Sequence, residues 1–280
     1  MNNQTTIVRR YLECTGLVLL WMACGFYFHL GPVAYQALGP PLIVGFQLAI
    51  ARRPLHQLWA RDAPSFRLDR GTLVLAGILM IACAALLLLG RAGRVARGSE
   101  RLVVVWPLCV AAIPAAFALR QQRAADLRRA LAVIAAAVII RVAWVVVAWA
   151  PTWAGALTFP AAKLPGFFTD SLCEFVGLFL VDEVAFRGAL DPHLGSAGNS
   201  RLHAWSSAVF VSILWCVWHL PAYYPKATTF LGLFKDLGPL SIGTVVFGTV
   251  LSFCARRSRT LVPSAALHAA NNAYFLTLLK

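Results

Sequence analysis

The stretch Asp182-Glu183-Val184-Ala185-Phe186-Arg187-Gly188 decides the reading of this chain. It sets three ionisable side chains inside an apolar run that extends from Leu164 to Leu190. Two further stretches of the same kind follow, Trp215-Cys216-Val217-Trp218-His219 and His268-Ala269-Ala270-Asn271-Asn272. A charge held inside hydrocarbon costs several kcal/mol, so polar groups in such segments are functional candidates by default. The surrounding composition identifies the medium. Of 280 residues, 60% are hydrophobic and 13% charged, with a mean hydropathy of +0.72, against roughly a quarter charged in a soluble domain. The sequence predicts an all-α integral membrane protein, a polytopic transmembrane helical bundle.

A helix needs roughly 20 mostly apolar residues to cross the hydrocarbon. Candidate spans run from Cys14 to Leu30, Val33 to Ala51, Thr72 to Gly90, Leu102 to Leu119, Ala130 to Ala150, Leu164 to Leu190, Ala204 to Tyr223, Gly238 to Ala255 and Leu261 to Leu279. This predicts eight or nine helices, because Pro40-Pro41 removes two backbone donors and either breaks or shortens the second span.

The net charge of +14 comes from arginine clusters in short loops: Arg52 to Arg70, Arg91 to Arg101, Arg120 to Arg129 and Arg256 to Arg259. Each cluster flanks an apolar run, which is the pattern of positive-inside anchoring and argues against a nucleic-acid partner. Alternation of the loops favours an inside N-terminus, with the Arg91 to Arg101 loop running against it. Arg9-Arg10 ahead of an apolar stretch has the look of a secretory or twin-arginine signal, but no small-residue cleavage site follows, so the first span reads as an uncleaved anchor. The abundance of Ala and Arg points to a GC-rich bacterial genome and hence to a multi-pass protein of the bacterial inner membrane. The seven cysteines stand singly in apolar runs and read as small packing residues, Cys216 as lipid-facing.

Residues 151–170, with Pro151, Pro160 and Pro165, divide the chain in two. Residues 1–150 carry transmembrane helices without a motif; residues 151–280 carry all three polar stretches and therefore the chemistry. On an α-helix Glu183 and Arg187 lie about 40° apart and one turn displaced, the favourable order for an ion pair, whereas Asp182 points about 100° away from Glu183 and is freer to face a cavity. Trp215 and His219 share a face at the same spacing, as do His268 and Asn272. Taken singly, each is matched by a structural role: an ion pair, a core histidine bonded to a carbonyl, a polar packing pair. Three helices contributing complementary polar groups within about 90 residues predict that Asp182, Glu183, Arg187, His219, His268 and Asn272 line one cavity.

The order acidic-acidic-x-x-x-Arg, aromatic-x-x-x-His, His-x-x-x-Asn, each on its own helix, resembles the CPBP family, the CAAX prenyl proteases and bacteriocin-processing or immunity proteins also called the Abi family. The likeness covers roughly residues 166–280. It implies a glutamic-type intramembrane endopeptidase in which Asp182 and His219 activate a water, His268 and Asn272 stabilise the oxyanion, and Glu183 with Arg187 is the supporting pair. Asp182 stands where the family has glutamate, which leaves open whether Asp182 or Glu183 is the base. Trp215 replaces the usual phenylalanine and narrows the pocket.

The residue types fit amide hydrolysis independently, since an activated water, an oxyanion donor and a proton for the leaving nitrogen are all supplied. No HExxH motif is present. The expected partners are the lipid bilayer and a membrane-anchored peptide or protein substrate, with no cofactor. Two alternatives stand beside this reading. One is a zinc protease that uses Asp182 or Glu183 with His219 and His268; the other is a non-catalytic immunity-type or transport protein with the same residues as a polar gate.

Overall fold

The computed structural model describes residues 3–88, 100–149, 163–198, 200–223, 230–274 and 277. Among these residues the secondary structure is helical, with no strand. Arg91, Arg94, Arg97 and residues 151–162 of the compositional boundary lie outside the described residues. The chain forms two compact units, one from Met1–Ser65 and Leu180–Phe253, the other from Phe66–Phe179 and Cys254–Lys280.

The first unit begins with α1 (Asn3–Tyr27). Its Cys14, Leu17, Val18 and Trp21 recur at i, i+3, i+4 and i+7 and are buried, while Leu12, Leu19 and Leu20 on the other faces are 66%, 56% and 54% exposed. A helix apolar on its packed and unpacked faces alike has the pattern of a membrane span. The next span is interrupted, as Pro40-Pro41 predicted. α2 (Pro32–Ala37) and α3 (Gly39–Gly45) meet at Leu38, and the prolines fall in the first turn of α3, where missing N–H groups cost nothing. A π-helical turn, Phe46–Ile50, completes it. Residues Pro32–Ile50 and Arg70–Leu87 are the described helical stretches long and apolar enough to cross a membrane, with mean hydropathies of 1.4 and 2.1.

The expected single span from Leu164 to Leu190 is two elements. α7 (Leu164–Leu178) ends where Phe179 N–H turns back to the Val176 carbonyl at 3.2 Å, with Gly177 weakening the last turn. A new helical run follows through a π-helical segment, Val184–Leu190, into α8 (Asp191–Gly195). The span expected over Ala204 to Tyr223 also breaks. α9 (Arg201–Trp218) is N-capped by Ser200 and stops at His219, because Pro221 offers no N–H to continue it; α10 (Leu220–Tyr223) is a separate turn. α11 (Phe230–Ser258) follows.

Four aromatic residues tie the first unit together. Trp21 Nε1 donates to the Tyr35 carbonyl (2.9 Å) and Tyr35 Oη to the Trp218 carbonyl (2.8 Å). Trp218 stacks on Tyr35 and meets Trp21 and Phe186 edge-on at ring separations of 5.4, 5.1 and 5.6 Å. Gly39 is required here, since a Cβ would lie 2.6 Å from the Trp21 ring.

In the second unit α4 (Arg70–Leu88) starts at Asp69, whose carboxylate accepts from Thr72 N–H at 2.7 Å. α5 (Glu100–Gln121) presents Ala111, Ala112, Ala115, Ala116 and Ala118, all fully buried, a small-residue face that lets helix backbones approach closely. α6 (Ala124–Trp149), α7 and α12 (Val262–Ala273) complete the unit. The described cysteines form no disulfide. Cys216 is 7% exposed, so it is a buried packing residue and not the lipid-facing one expected; the Trp-rich end of α9 is turned into the unit on that side.

Candidate active site

The connection between α8 and α9 makes a helical hairpin, and its register decides which polar groups share a level. The Arg187 guanidinium lies over the Trp215 ring, 4.6 Å from its centroid. The two arms run away from one turn, so the Glu183 end of the first and the His219 end of the second both lie away from it. His219 is the C-cap of an 18-residue helix whose N-cap is Ser200.

Arg187 and Glu183 are both fully buried and form the expected i,i+4 ion pair at 3.8 Å. Arg187 Nη2 also donates to the Gly248 carbonyl at 3.1 Å. Gly248 fits because it has no side chain, a Cβ there falling 2.9 Å from Arg187 Nη2 and from Ser212. The stretch is π-helical and not α-helical as assumed, a geometry found mostly as single turns at functional sites. Asp182 is half-buried, in contrast to its neighbour, and acts electrostatically on the Tyr35 hydroxyl. Arg61, expected only as a loop charge, reaches the buried Asp191 at 2.9 Å and the Arg187 carbonyl at 3.3 Å. Gly188 packs against the carbonyl of Leu58 with no room for a Cβ.

His219 Nδ1 is 2.7 Å from the Trp215 carbonyl oxygen. A carbonyl only accepts, so Nδ1 carries the proton and Nε2 of the neutral ring is the basic nitrogen. The same contact satisfies the core-histidine reading and fixes the tautomer that a proton acceptor needs. Trp215 and Trp218 enclose the imidazole edge-on, both at 5.0 Å.

In the second unit α7 and α12 pack antiparallel. Thr277 Oγ1 donates to Asp170 at 2.8 Å and Asn272 Nδ2 to Glu174 Oε2 at 3.2 Å. The register places buried His268 level with the C-terminal end of α7. Glu174 was missed from the sequence because its ionisable neighbour at helical spacing in α7, Asp170, has the same sign and suggests no pair. It is bonded to Asn272 and within electrostatic range of His268. Gly248 was missed because nothing near it in sequence marks its approach to Arg187. Among the described residues no three His, Cys, Asp or Glu side chains are gathered as a metal centre requires.

The geometry defines a helical protein with a buried carboxylate and guanidinium and a half-buried imidazole on one hairpin, and an imidazole, carboxamide and carboxylate on a helix pair. Residues 164–274 match the family model described as type II CAAX prenyl endopeptidase Rce1-like, a segment that contains every motif residue from Asp182 to Asn272. This match agrees with the CPBP family that the motifs implied. No curated protein and no solved structure matches the chain.

Proposed function

We propose that this chain is an intramembrane endopeptidase that cleaves a membrane-associated peptide or protein through a water activated by carboxylate and imidazole. The observation that carries the reading is the contact of Arg187 with the Trp215 ring, which joins the arm bearing Asp182 and Glu183 to the helix end at His219, whose Nδ1 contact to the Trp215 carbonyl leaves Nε2 basic. The match of residues 164–274 to an endopeptidase family model supports the reaction class. The exposed apolar side chains of helices throughout the chain, Leu12, Ile81, Trp106 and Ile242 among them, support the bilayer as its medium and a multi-pass topology.

In the proposed reaction Asp182 and His219 Nε2 draw a proton from water, whose oxygen attacks the scissile carbonyl carbon. His268 and the Asn272 carboxamide donate to the resulting oxyanion. As the tetrahedral intermediate collapses, the carbon–nitrogen bond breaks and the proton taken from the water by Asp182 passes through Nε2 of His219 to the leaving nitrogen. Glu183 does not compete for the water, being committed to Arg187, and this favours Asp182 as the base. The proposal requires His219 and His268 to bear on one carbonyl, and spin labels at positions 219 and 268 test this as a distance.

The reaction is proposed to need no metal. Activity that survives prolonged chelation, with no stoichiometric zinc by elemental analysis, is the expected result; loss on stripping and recovery with zinc overturns it. The activity itself is tested by comparing the membrane proteomes of cells carrying the wild-type chain and the Asp182→Asn variant. Uncut terminal segments should accumulate in the variant alone, and identical proteomes reject the protease.

A further inference from the structure

A second polar cluster lies at the turn end of the hairpin, 14 residues from Asp182 at Ser196, or about 21 Å at 1.5 Å per residue. Arg10 donates to Ser196 Oγ at 2.6 Å and to the His193 carbonyl at 3.0 Å. Arg53 donates to the same Ser196 Oγ at 2.7 Å. Two guanidinium groups are thus held on one neutral oxygen, with their donating nitrogens no more than about 5.3 Å apart. Arg9 and Arg52 line the same open cavity of about 490 Å3. Its single carboxylate, Glu13, is already shared between Arg9 at 2.8 Å and His193 Nε2 at 2.7 Å.

Four arginines against one carboxylate leave an excess of positive charge, and a serine hydroxyl cannot neutralise it. The backbone reinforces the arrangement. Arg52 adopts a left-handed conformation (φ 53°) that favours glycine, and it does so where the π-helical turn ends and Arg53 N–H closes on the Gln47 carbonyl at 2.9 Å. The cavity also lies where the apolar surface of α1 gives way to charge, since Leu12, 66% exposed, is the next outward-facing residue after Arg9.

We propose that this cavity binds a phosphate-class anion, whose tetrahedral oxygens can accept from several guanidinium forks at once where the Ser196 hydroxyl accepts only one bond from each. At the edge of an apolar belt the available source is the headgroup of an anionic phospholipid; a soluble phosphate is the other source of the same chemistry. The site is independent of the peptidase reading, because none of its residues belongs to the motifs.

The test uses the full chain in neutral detergent, with thermal unfolding followed as phosphatidylglycerol, phosphatidylcholine or inorganic phosphate is added. The expected result is a melting temperature that rises with the logarithm of phosphatidylglycerol concentration, hardly moves with phosphatidylcholine, and responds less at high salt. The same rise with inorganic phosphate assigns the site to a soluble ligand. Arg10→Gln with Arg53→Gln should remove the response. Ser196→Asp, which supplies a carboxylate where the two guanidinium groups meet, should raise the melting temperature without lipid and also remove the response, so the proposal stays testable if the double variant does not fold. An equal response to both lipids, no response in the wild type, or a full response in Ser196→Asp overturns it.

Discussion

The hairpin of the first unit and the α7–α12 pair of the second both carry polar side chains at i,i+4, yet they satisfy them in opposite ways. In the hairpin the partners lie inside the motifs: Glu183 pairs with Arg187, and His219 bonds back to the carbonyl of Trp215. On α12 the pair His268 and Asn272 shares a face, but Asn272 spends its donor on Glu174, 98 residues earlier in the chain. Spacing on one helix therefore reports which groups are near each other, and only a packed neighbour reports what each is bonded to.

The largest effect expected is at Asp182. If its half-buried carboxylate is the base, Asp182→Asn lowers cleavage by about 10²–10⁴-fold, the range for a positioned general base, with the helical content and melting temperature unchanged. Glu183→Gln has the reverse signature, because it leaves Arg187 buried beside a neutral amide. Breaking one partner of a buried pair costs about 3–5 kcal/mol, and the retained bond to the Gly248 carbonyl places this case at the low end. Unfolding of the purified protein measures it. Glu183→Leu combined with Arg187→Met should recover much of that stability but none of the activity, which separates the role of the pair in folding from its role at the site. A Glu183→Gln variant that is stable and inactive, beside an active Asp182→Asn, moves the base to Glu183 and removes the contrast between the two carboxylates.

Much of the first unit was legible because its determinants are local. The i,i+4 pair of Glu183 and Arg187 and the interruption near Pro40 follow from helix geometry and from the missing N–H of proline, whereas the arrest of α9 before Pro221 was passed over by a span drawn through to Tyr223. The break between α7 and the π-helical segment was not legible. Residues 178–182 are as apolar as their flanks up to Asp182, and hydropathy cannot distinguish a continuous span from two helices that meet end to end. The basic cluster was legible as charge but not as a site: positive-inside counting treats Arg10, Arg53 and Arg61 alike, whereas Arg61 pairs with Asp191 and the other two meet at Ser196.

A smaller effect tests whether the hairpin depends on contacts beyond its motifs. Gly248→Ala puts a methyl group 2.9 Å from both Arg187 Nη2 and Ser212. Overpacking of this kind costs about 1–3 kcal/mol, and it is relieved here by displacing the guanidinium from the Gly248 carbonyl and the Trp215 face. The expected outcome is a moderate fall in melting temperature with a larger loss of activity. A variant with full activity shows that the position of Arg187 is held by Glu183 and Trp215 alone.

The smallest effect is at Glu174, and it bears on the second half of the comparison. A carboxylate can only accept, so its bond fixes which end of the Asn272 carboxamide faces it and leaves the second N–H of Nδ2 to turn toward an oxyanion. Glu174→Leu removes that acceptor. If Asn272 donates in the transition state, kcat falls by about 10- to 100-fold, the equivalent of the 1.5–3 kcal/mol of a hydrogen bond to a charged group, and KM is little changed. Glu174→Gln keeps an acceptor oxygen and should stay within a few-fold of the wild type. Rescue by glutamine is the discriminating result, since a purely structural Glu174 gives melting temperatures that track activity in both variants. Equal damage from leucine and glutamine instead shows that the negative charge itself is needed, and the partner that requires it is then His268.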